Sequence, residues 1–115
     1  MGKIFIEVNA QNAVKNEKLV RDHIPRIIEA SGKIPIISHA DEKEYRVKLR
    51  EKLSEEVAEF LESGKSEELA DILEVVYALA QQQGLSASAL VQVRDQKAAE
   101  RGGFSQRIIL KEVKE

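Results

Sequence analysis

Apolar residues recur at every third or fourth position between Asp41 and Gly64, and this spacing limits the fold of the chain more than any other feature. Side chains at that interval lie on one face of an α-helix. Asp41, followed three residues later by Glu44, forms a start similar to a capping box, and glycine commonly ends a helix. The sequence therefore predicts its longest helix between Asp41 and Gly64.

A second apolar pattern of the same kind follows almost at once, from Ser66 to Gly84. Serine is a favoured residue at the start of a helix, so we expect Ser66 to cap this one. Only about three residues separate the two patterns, and so short a connection predicts antiparallel packing. The centre of the chain is therefore predicted to be a helical hairpin.

A shorter helix is predicted before the hairpin, over about His23 to Ser31. Asp22 is expected to cap it, Pro25 lies in its first turn, and Gly32 follows its end. The next residues, 33–39, contain a proline and predict an extended connector or an edge strand. The hairpin is thus expected to be preceded by one short helix and a non-helical link.

The last helix is predicted over roughly Ala87 to Arg101, with Ser86 at its start and Gly102-Gly103 at its end. The run Arg107 to Val113 that follows is rich in β-branched residues. Lys3 to Val8 alternates apolar and other residues, within an N-terminal extension of residues 1–15. We therefore expect the two chain ends to pair as a small β element.

Composition agrees with a mainly α-helical bundle that forms a single domain over residues 1–115. Aromatic residues make up 4% of the chain and tryptophan is absent, so the core must consist of aliphatic side chains. A formal net charge of −2 predicts neither a nucleic-acid polymer nor a membrane as partner. The absence of cysteine excludes disulfides and cysteine nucleophiles, and with no apparent targeting segment we expect a cytoplasmic protein.

Four acidic residues interrupt the apolar faces of the hairpin. On a helical wheel Glu56 points into the apolar stripe of the first helix, and Glu59 lies at the edge of that stripe. Glu68 and Asp71 lie within or beside the apolar arc of the second helix. Because the connection is short, the four carboxylates are expected to face one another at similar heights.

Carboxylates at such positions require compensation, because an ionised group is costly to bury without a partner. No basic counterpart is obvious within the hairpin, so a divalent cation with oxygen ligands is the natural neutraliser. Mg²⁺ fits best, with Mn²⁺ as an alternative, since it also keeps positions for water and substrate phosphates. The competing interpretation is that these acids form salt bridges or reach solvent at the rim of a helix rich in Glu and Lys.

Several segments resemble one family. The sequence KLSEEVAEFL (Lys52 to Leu61), followed by EELADILEVVYAL (Glu67 to Leu79), resembles the E-x-x-E…E-x-x-D signature of the MazG-like, all-α nucleotide pyrophosphohydrolases. KLVRDHIPRII (Lys18 to Ile28) and KAAERGGF (Lys97 to Phe104) resemble flanking blocks of a subgroup related to phosphoribosyl-ATP pyrophosphohydrolase. The resemblance spans about residues 16–111, with three blocks in the same order.

This resemblance implies a Mg²⁺-dependent enzyme that splits the α–β phosphoanhydride of a nucleoside triphosphate into monophosphate and pyrophosphate. Carried over by position, Glu56 and Glu59 match the first metal-binding pair, and Glu68 and Asp71 match the second. Either Glu55 or Glu59 is able to orient or deprotonate the attacking water. The family also implies a homodimer or homotetramer, because one hairpin cannot enclose a nucleotide.

Four basic residues are candidates for contacts with substrate phosphates. Lys97 and Arg101 lie four apart on one face of the last helix, and Lys18 and Arg21 precede the first helix. The alternative is structural: a cationic helix end for the first pair and a salt-bridged helix entry for the second. Two further functions stay open, namely phosphoribosyl-ATP pyrophosphohydrolase itself and a non-catalytic helical interaction module.

Overall fold

The computed structural model describes residues 17–115 and contains four α-helices in that range. They are α1 (Ile24–Ala30), α2 (Glu42–Ser63), α3 (Ser66–Gln82) and α4 (Ala87–Arg101). Residues 17–115 contain no β-strand. The prediction of a mainly α-helical bundle is therefore confirmed. No helix in this range is both long and apolar enough to cross a bilayer.

Both ends of α2 are stabilised by the residues predicted from the sequence. The Asp41 side chain accepts a hydrogen bond from the backbone N–H of Glu44 at 2.8 Å, which satisfies one of the free donors of the first turn. Gly64 ends the helix in the left-handed conformation, with φ of 67°. Because a glycine has no Cβ, it adopts this conformation without steric cost.

The connection between α2 and α3 is one residue shorter than predicted, and Ser66 does not cap α3. Gly64 and Lys65 alone join the helices, Lys65 occupies the cap position, and no side chain caps the helix. The Ser63 hydroxyl instead accepts the backbone N–H of Lys65 at 3.2 Å and fixes the turn. Ser66 is already the first helical residue because the turn closes within two residues.

The two flanking helices differ in how well their ends were predicted. The Ser86 side chain accepts the backbone N–H of Ala89 at 3.1 Å and Gly102 ends α4, both as expected. The predicted cap of α1 is wrong, because His23 takes the cap position and no side chain caps the helix there. Its backbone is already helical (φ −90°, ψ −3°), which leaves Asp22 one residue too early to act.

The predicted C-terminal strand is not formed within residues 17–115. Arg107 has φ of 58°, a left-handed conformation that strands do not use, and its N–H donates to the Phe104 carbonyl at 3.1 Å to close a turn. The Lys3 to Val8 segment lies outside the described residues, so its pairing stays a prediction. Residues 33–39 form neither a helix nor a strand, so the alternative of an edge strand is wrong there.

The core is small and lies along the hairpin. Helix α2 packs along α3, and α3 also packs against α4. Leu49, Val75 and Ala80 are the buried apolar residues of the described chain. The radius of gyration, 18.4 Å, exceeds the roughly 13 Å expected of a compact chain of about 100 residues. A single copy therefore leaves much of its apolar surface uncovered.

Candidate metal centre

Glu56 is the one charged residue that is buried within residues 17–115, with 7% of its surface exposed. It lies on α2 seven residues after Leu49, which is two helical turns along the same face. Leu49 itself is only 2% exposed, so this face is the one that packs on α3. The prediction that Glu56 points into the apolar interface is confirmed.

Carboxylates from both arms of the hairpin converge beside Glu56. One oxygen each of Glu56, Glu68 and Asp71 lies within 4.8 Å of the others, and we call these three residues the acid cluster. In an octahedral Mg²⁺ shell with bonds of about 2.1 Å, opposite ligand oxygens are about 4.2 Å apart. The cluster is therefore close to the dimensions at which one ion contacts all three carboxylates.

One atom of the cluster has no partner within the described chain. Oε2 of Glu56 is buried and has no hydrogen-bond donor while the carboxyl groups around it are ionised; Glu59 can donate to Glu56 only when it is protonated. A buried carboxylate oxygen without a donor is destabilising unless a cation or a proton reaches it. The oxygen chemistry of the cluster and this unpartnered atom both fit a hard divalent cation such as Mg²⁺.

Two basic side chains, neither of them a predicted metal ligand, form ion pairs with the cluster. Nζ of Lys52 lies 3.2 Å from Oε1 of Glu56, and Arg21 lies 2.8 Å from Oδ1 of Asp71. The expectation that the hairpin offers no basic counterpart is therefore wrong. Lys52 precedes Glu56 by four residues, and side chains at that spacing meet on a helix surface.

Glu59 lies beside the acid cluster rather than within its three oxygens. Burial raises the pKa of Glu59 to about 7, and the negative charge of Glu56, a hydrogen bond with Glu56 and the charges of Glu68 and Glu55 add to the effect. At neutral pH this carboxyl group is about half protonated. Glu59 can therefore accept or release a proton next to the cluster.

The Glu55 side chain forms ion pairs with two lysines that line the groove. Its Oε1 lies 3.4 Å from Nζ of Lys18 and 3.6 Å from Nζ of Lys52. Its side chain is about a quarter exposed. Glu59, the other candidate water-activating acid, lies beside the cluster, and its pKa is raised chiefly by burial and then by the charge of Glu56.

A groove of about 520 Å³ lies between residues 17–19 and α2. Its lining includes the basic residues Lys18, Lys48 and Lys52 and the acids Glu17, Glu51 and Glu55. Lys48 fixes residue 17 to α2 by donating from Nζ to the Glu17 carbonyl at 2.7 Å. The groove and the acid cluster are linked through Lys52, which belongs to both.

Comparisons with known proteins add little to this geometry. No protein-family model matches the chain, and no solved structure matches it. Over 42 residues the chain is 52% identical to an uncharacterized protein of Mycolicibacterium smegmatis. The match covers 36% of this chain and 43% of that protein, so the chain spans less than half of its relative. This similarity indicates neither a family nor an activity.

The predicted phosphate-binding residues divide into two groups. Lys18 and Arg21 lie at the site, where each forms an ion pair with an acid of the hairpin. Lys97 and Arg101 are exposed on α4, which packs on α3 but not on α2, and neither contacts the cluster within residues 17–115. The structure instead adds Lys52, which sequence reasoning missed although its spacing to Glu56 predicts contact.

Proposed function

We propose that the protein hydrolyses the α–β phosphoanhydride of a nucleoside triphosphate or a related nucleotide, with Mg²⁺ or Mn²⁺ held by the acid cluster. The observation that supports this most is Glu56, which is more than nine-tenths buried and keeps one oxygen unpartnered beside two further carboxylates. The sequence resemblance to MazG-like pyrophosphohydrolases supports the same reaction.

The proposed hydrolysis requires little covalent chemistry from the protein. An oxygen of water bonds to phosphorus, the anhydride P–O bond breaks, and the bridging oxygen leaves with pyrophosphate. A bound Mg²⁺ supplies neutralisation of phosphate charge and a lower pKa for a coordinated water. Glu56, Glu68 and Asp71 are the residues placed to hold it.

Glu59 is the better candidate for receiving the proton of the attacking water. It lies next to the acid cluster, and a metal there would lower its raised pKa of about 7, which leaves Glu59 ionised at neutral pH as a general base must be. Glu55 is engaged with Lys18 and Lys52 on the groove side. We therefore assign Glu59 the role of base and Glu55 a role in holding the two lysines.

We further propose that the enzyme is a cytoplasmic homodimer or homotetramer. Large apolar residues remain exposed on both arms of the hairpin, among them Val57, Leu61, Leu69 and Leu73. Exposed apolar surface is typical of an interface where such side chains form one patch. A second copy that covers this face would also close the site around a nucleotide.

Two alternatives have specific support. The flanking sequence blocks resemble the subgroup related to phosphoribosyl-ATP pyrophosphohydrolase, which favours that substrate. The ion pairs of Lys52 and Arg21 with the cluster favour a non-catalytic helical module, because two internal cations already offset part of its negative charge.

A substrate panel with Mg²⁺ tests the proposal. Purified protein is incubated with nucleoside triphosphates, including non-standard ones, and with phosphoribosyl-ATP, and the release of pyrophosphate is measured. We expect release that is lost in Glu56→Gln and Asp71→Asn and retained in Glu42→Gln, a matched control at an exposed acid of α2 that does not line the groove. Release from phosphoribosyl-ATP alone would support the first alternative. Equal inactivity of the folded wild type and variants on every nucleotide would support the interaction module.

A further inference from the structure

Lys52 has two sets of neighbours that belong to different parts of the site. Its Nζ lies 3.2 Å from Oε1 of Glu56 and 3.6 Å from Oε1 of Glu55. Its side chain is 19% exposed and also lines the groove between residues 17–19 and α2. One ammonium group is thus in contact with a buried metal-ligand candidate and open to the adjacent groove.

The contact with Glu56 leaves an asymmetric carboxylate. Oε1 is paired with Lys52, whereas Oε2 is buried and has no partner among the described residues. A cation that takes up the free oxygen adds positive charge close to the Lys52 ammonium. Because like charges repel strongly where water is excluded, the two cations compete for Glu56.

When a metal occupies Glu56, Lys52 can pair instead with an anionic ligand in the groove. Lys18 and Lys48 line it as well, so three lysines contribute to the same groove. Three acids line it too, and they balance the lysines when the groove contains no ligand. A polyphosphate chain requires an additional cation, and Lys52 is the groove lysine that a metal would release from the cluster.

We propose that Lys52 is an exchangeable counter-ion, which neutralises Glu56 when no metal is bound and contacts the phosphate chain of the substrate when Mg²⁺ takes its place. This inference rests on the proposed function, and it adds an order of events to that function. The divalent cation and the phosphate contact are coupled, since the ion that binds Glu56 frees the lysine that binds phosphate.

Lys52→Met tests this coupling, because methionine fills similar space without the charge. Mg²⁺ binding to the full chain is measured by calorimetry without nucleotide, and binding of inorganic triphosphate is then measured at saturating Mg²⁺. Inorganic triphosphate presents the phosphate chain without a base. We expect Lys52→Met to bind Mg²⁺ several-fold more tightly and triphosphate about tenfold more weakly than wild type, as one charge-assisted hydrogen bond implies.

Two further variants separate this role from a structural one. Lys48→Met removes a groove lysine one turn earlier that pairs with Glu51 rather than with the cluster, so Mg²⁺ affinity should stay at the wild-type value. Lys52→Arg keeps the charge and should restore triphosphate binding. If Lys52→Met does not fold, Lys52→Gln gives the same pair of measurements.

Opposite changes in the two affinities support the inference. Weaker Mg²⁺ binding by Lys52→Met would overturn it, because Lys52 would then act only by holding Glu56 in place. Unchanged triphosphate affinity would overturn it as well. If the expected affinity changes are observed but the wild type releases no pyrophosphate, the proposed hydrolysis alone is contradicted. If the wild type hydrolyses nucleotide normally but both affinities are unchanged in Lys52→Met, the inference alone is contradicted.

Discussion

Protonation of Glu59 should make the folded chain sensitive to pH and to Mg²⁺ together. Burial and the charge of Glu56 raise the pKa of Glu59 from its ordinary value of 4.5 to about 7. Between these two values the folded state binds more protons than the unfolded state does. The free energy of unfolding therefore falls as pH rises from about 4.5 to about 7, and it levels off above that range.

The size of the effect follows from the shift. Each pKa unit corresponds to about 1.4 kcal/mol, which gives an upper limit of about 3 kcal/mol for the whole window. Partial exposure of the Glu59 side chain reduces this limit through solvent screening, so we expect about 1–2 kcal/mol. Urea denaturation in Mg²⁺-free buffer at pH 5 and pH 8 measures this difference directly.

Binding of Mg²⁺ should lower the raised pKa of Glu59, because a divalent cation at Glu56 and Glu68 offsets the negative charges that favour the proton, although burial still raises it. At pH 7 the chain should then release a fraction of a proton, at most about half, per ion bound. Calorimetry in two buffers with different ionisation enthalpies measures this number. Glu59→Gln should abolish both the proton release and the pH-dependent loss of stability. Proton release that persists in Glu59→Gln would refute the assignment.

Three further predictions concern the fold and the assembly. Leu49→Ala should lower the free energy of unfolding by about 2–5 kcal/mol, because Leu49 is 2% exposed in the hairpin core. Urea denaturation measures this change, and a loss under about 1 kcal/mol would contradict the packing. Asp41→Ala should cost about 1 kcal/mol in the same assay through loss of the α2 cap, whereas Asp41→Asn should retain most of it. Leu61→Lys combined with Leu73→Lys should shift the protein toward the monomer in analytical ultracentrifugation, and an unchanged mass would show that assembly uses another surface.

The hairpin could be predicted because its signals are local. The apolar period of α2, the Asp41 cap and the left-handed Gly64 each depend on neighbouring residues alone. The helical period also predicts that Glu56 faces inward, since it lies two turns after the buried Leu49 on the same face. The cap predicted at Ser66 is wrong by one residue. The position of a helix start depends on the backbone angles of the preceding turn, which composition does not specify.

The parts of the site that escaped prediction depend on tertiary placement. The groove forms because residues 17–19 lie against α2, and nothing in their composition fixes that position. Arg21 contacts Asp71 across 50 positions of sequence, which no local pattern reveals. Lys52 is different, because its i,i+4 spacing to Glu56 is a local signal that predicts their ion pair.

The two-residue connection at Gly64 and Lys65 fixes how the halves of the acid cluster meet. Glu56 lies eight residues before Gly64 and Asp71 six residues after Lys65, which correspond to about 12 Å and 9 Å of helical rise. Deleting one residue from either arm would move one carboxylate by about 1.5 Å along its helix and turn it by about 100° about the axis. The number of residues between the turn and each acid is therefore as much a determinant of the site as the acids themselves.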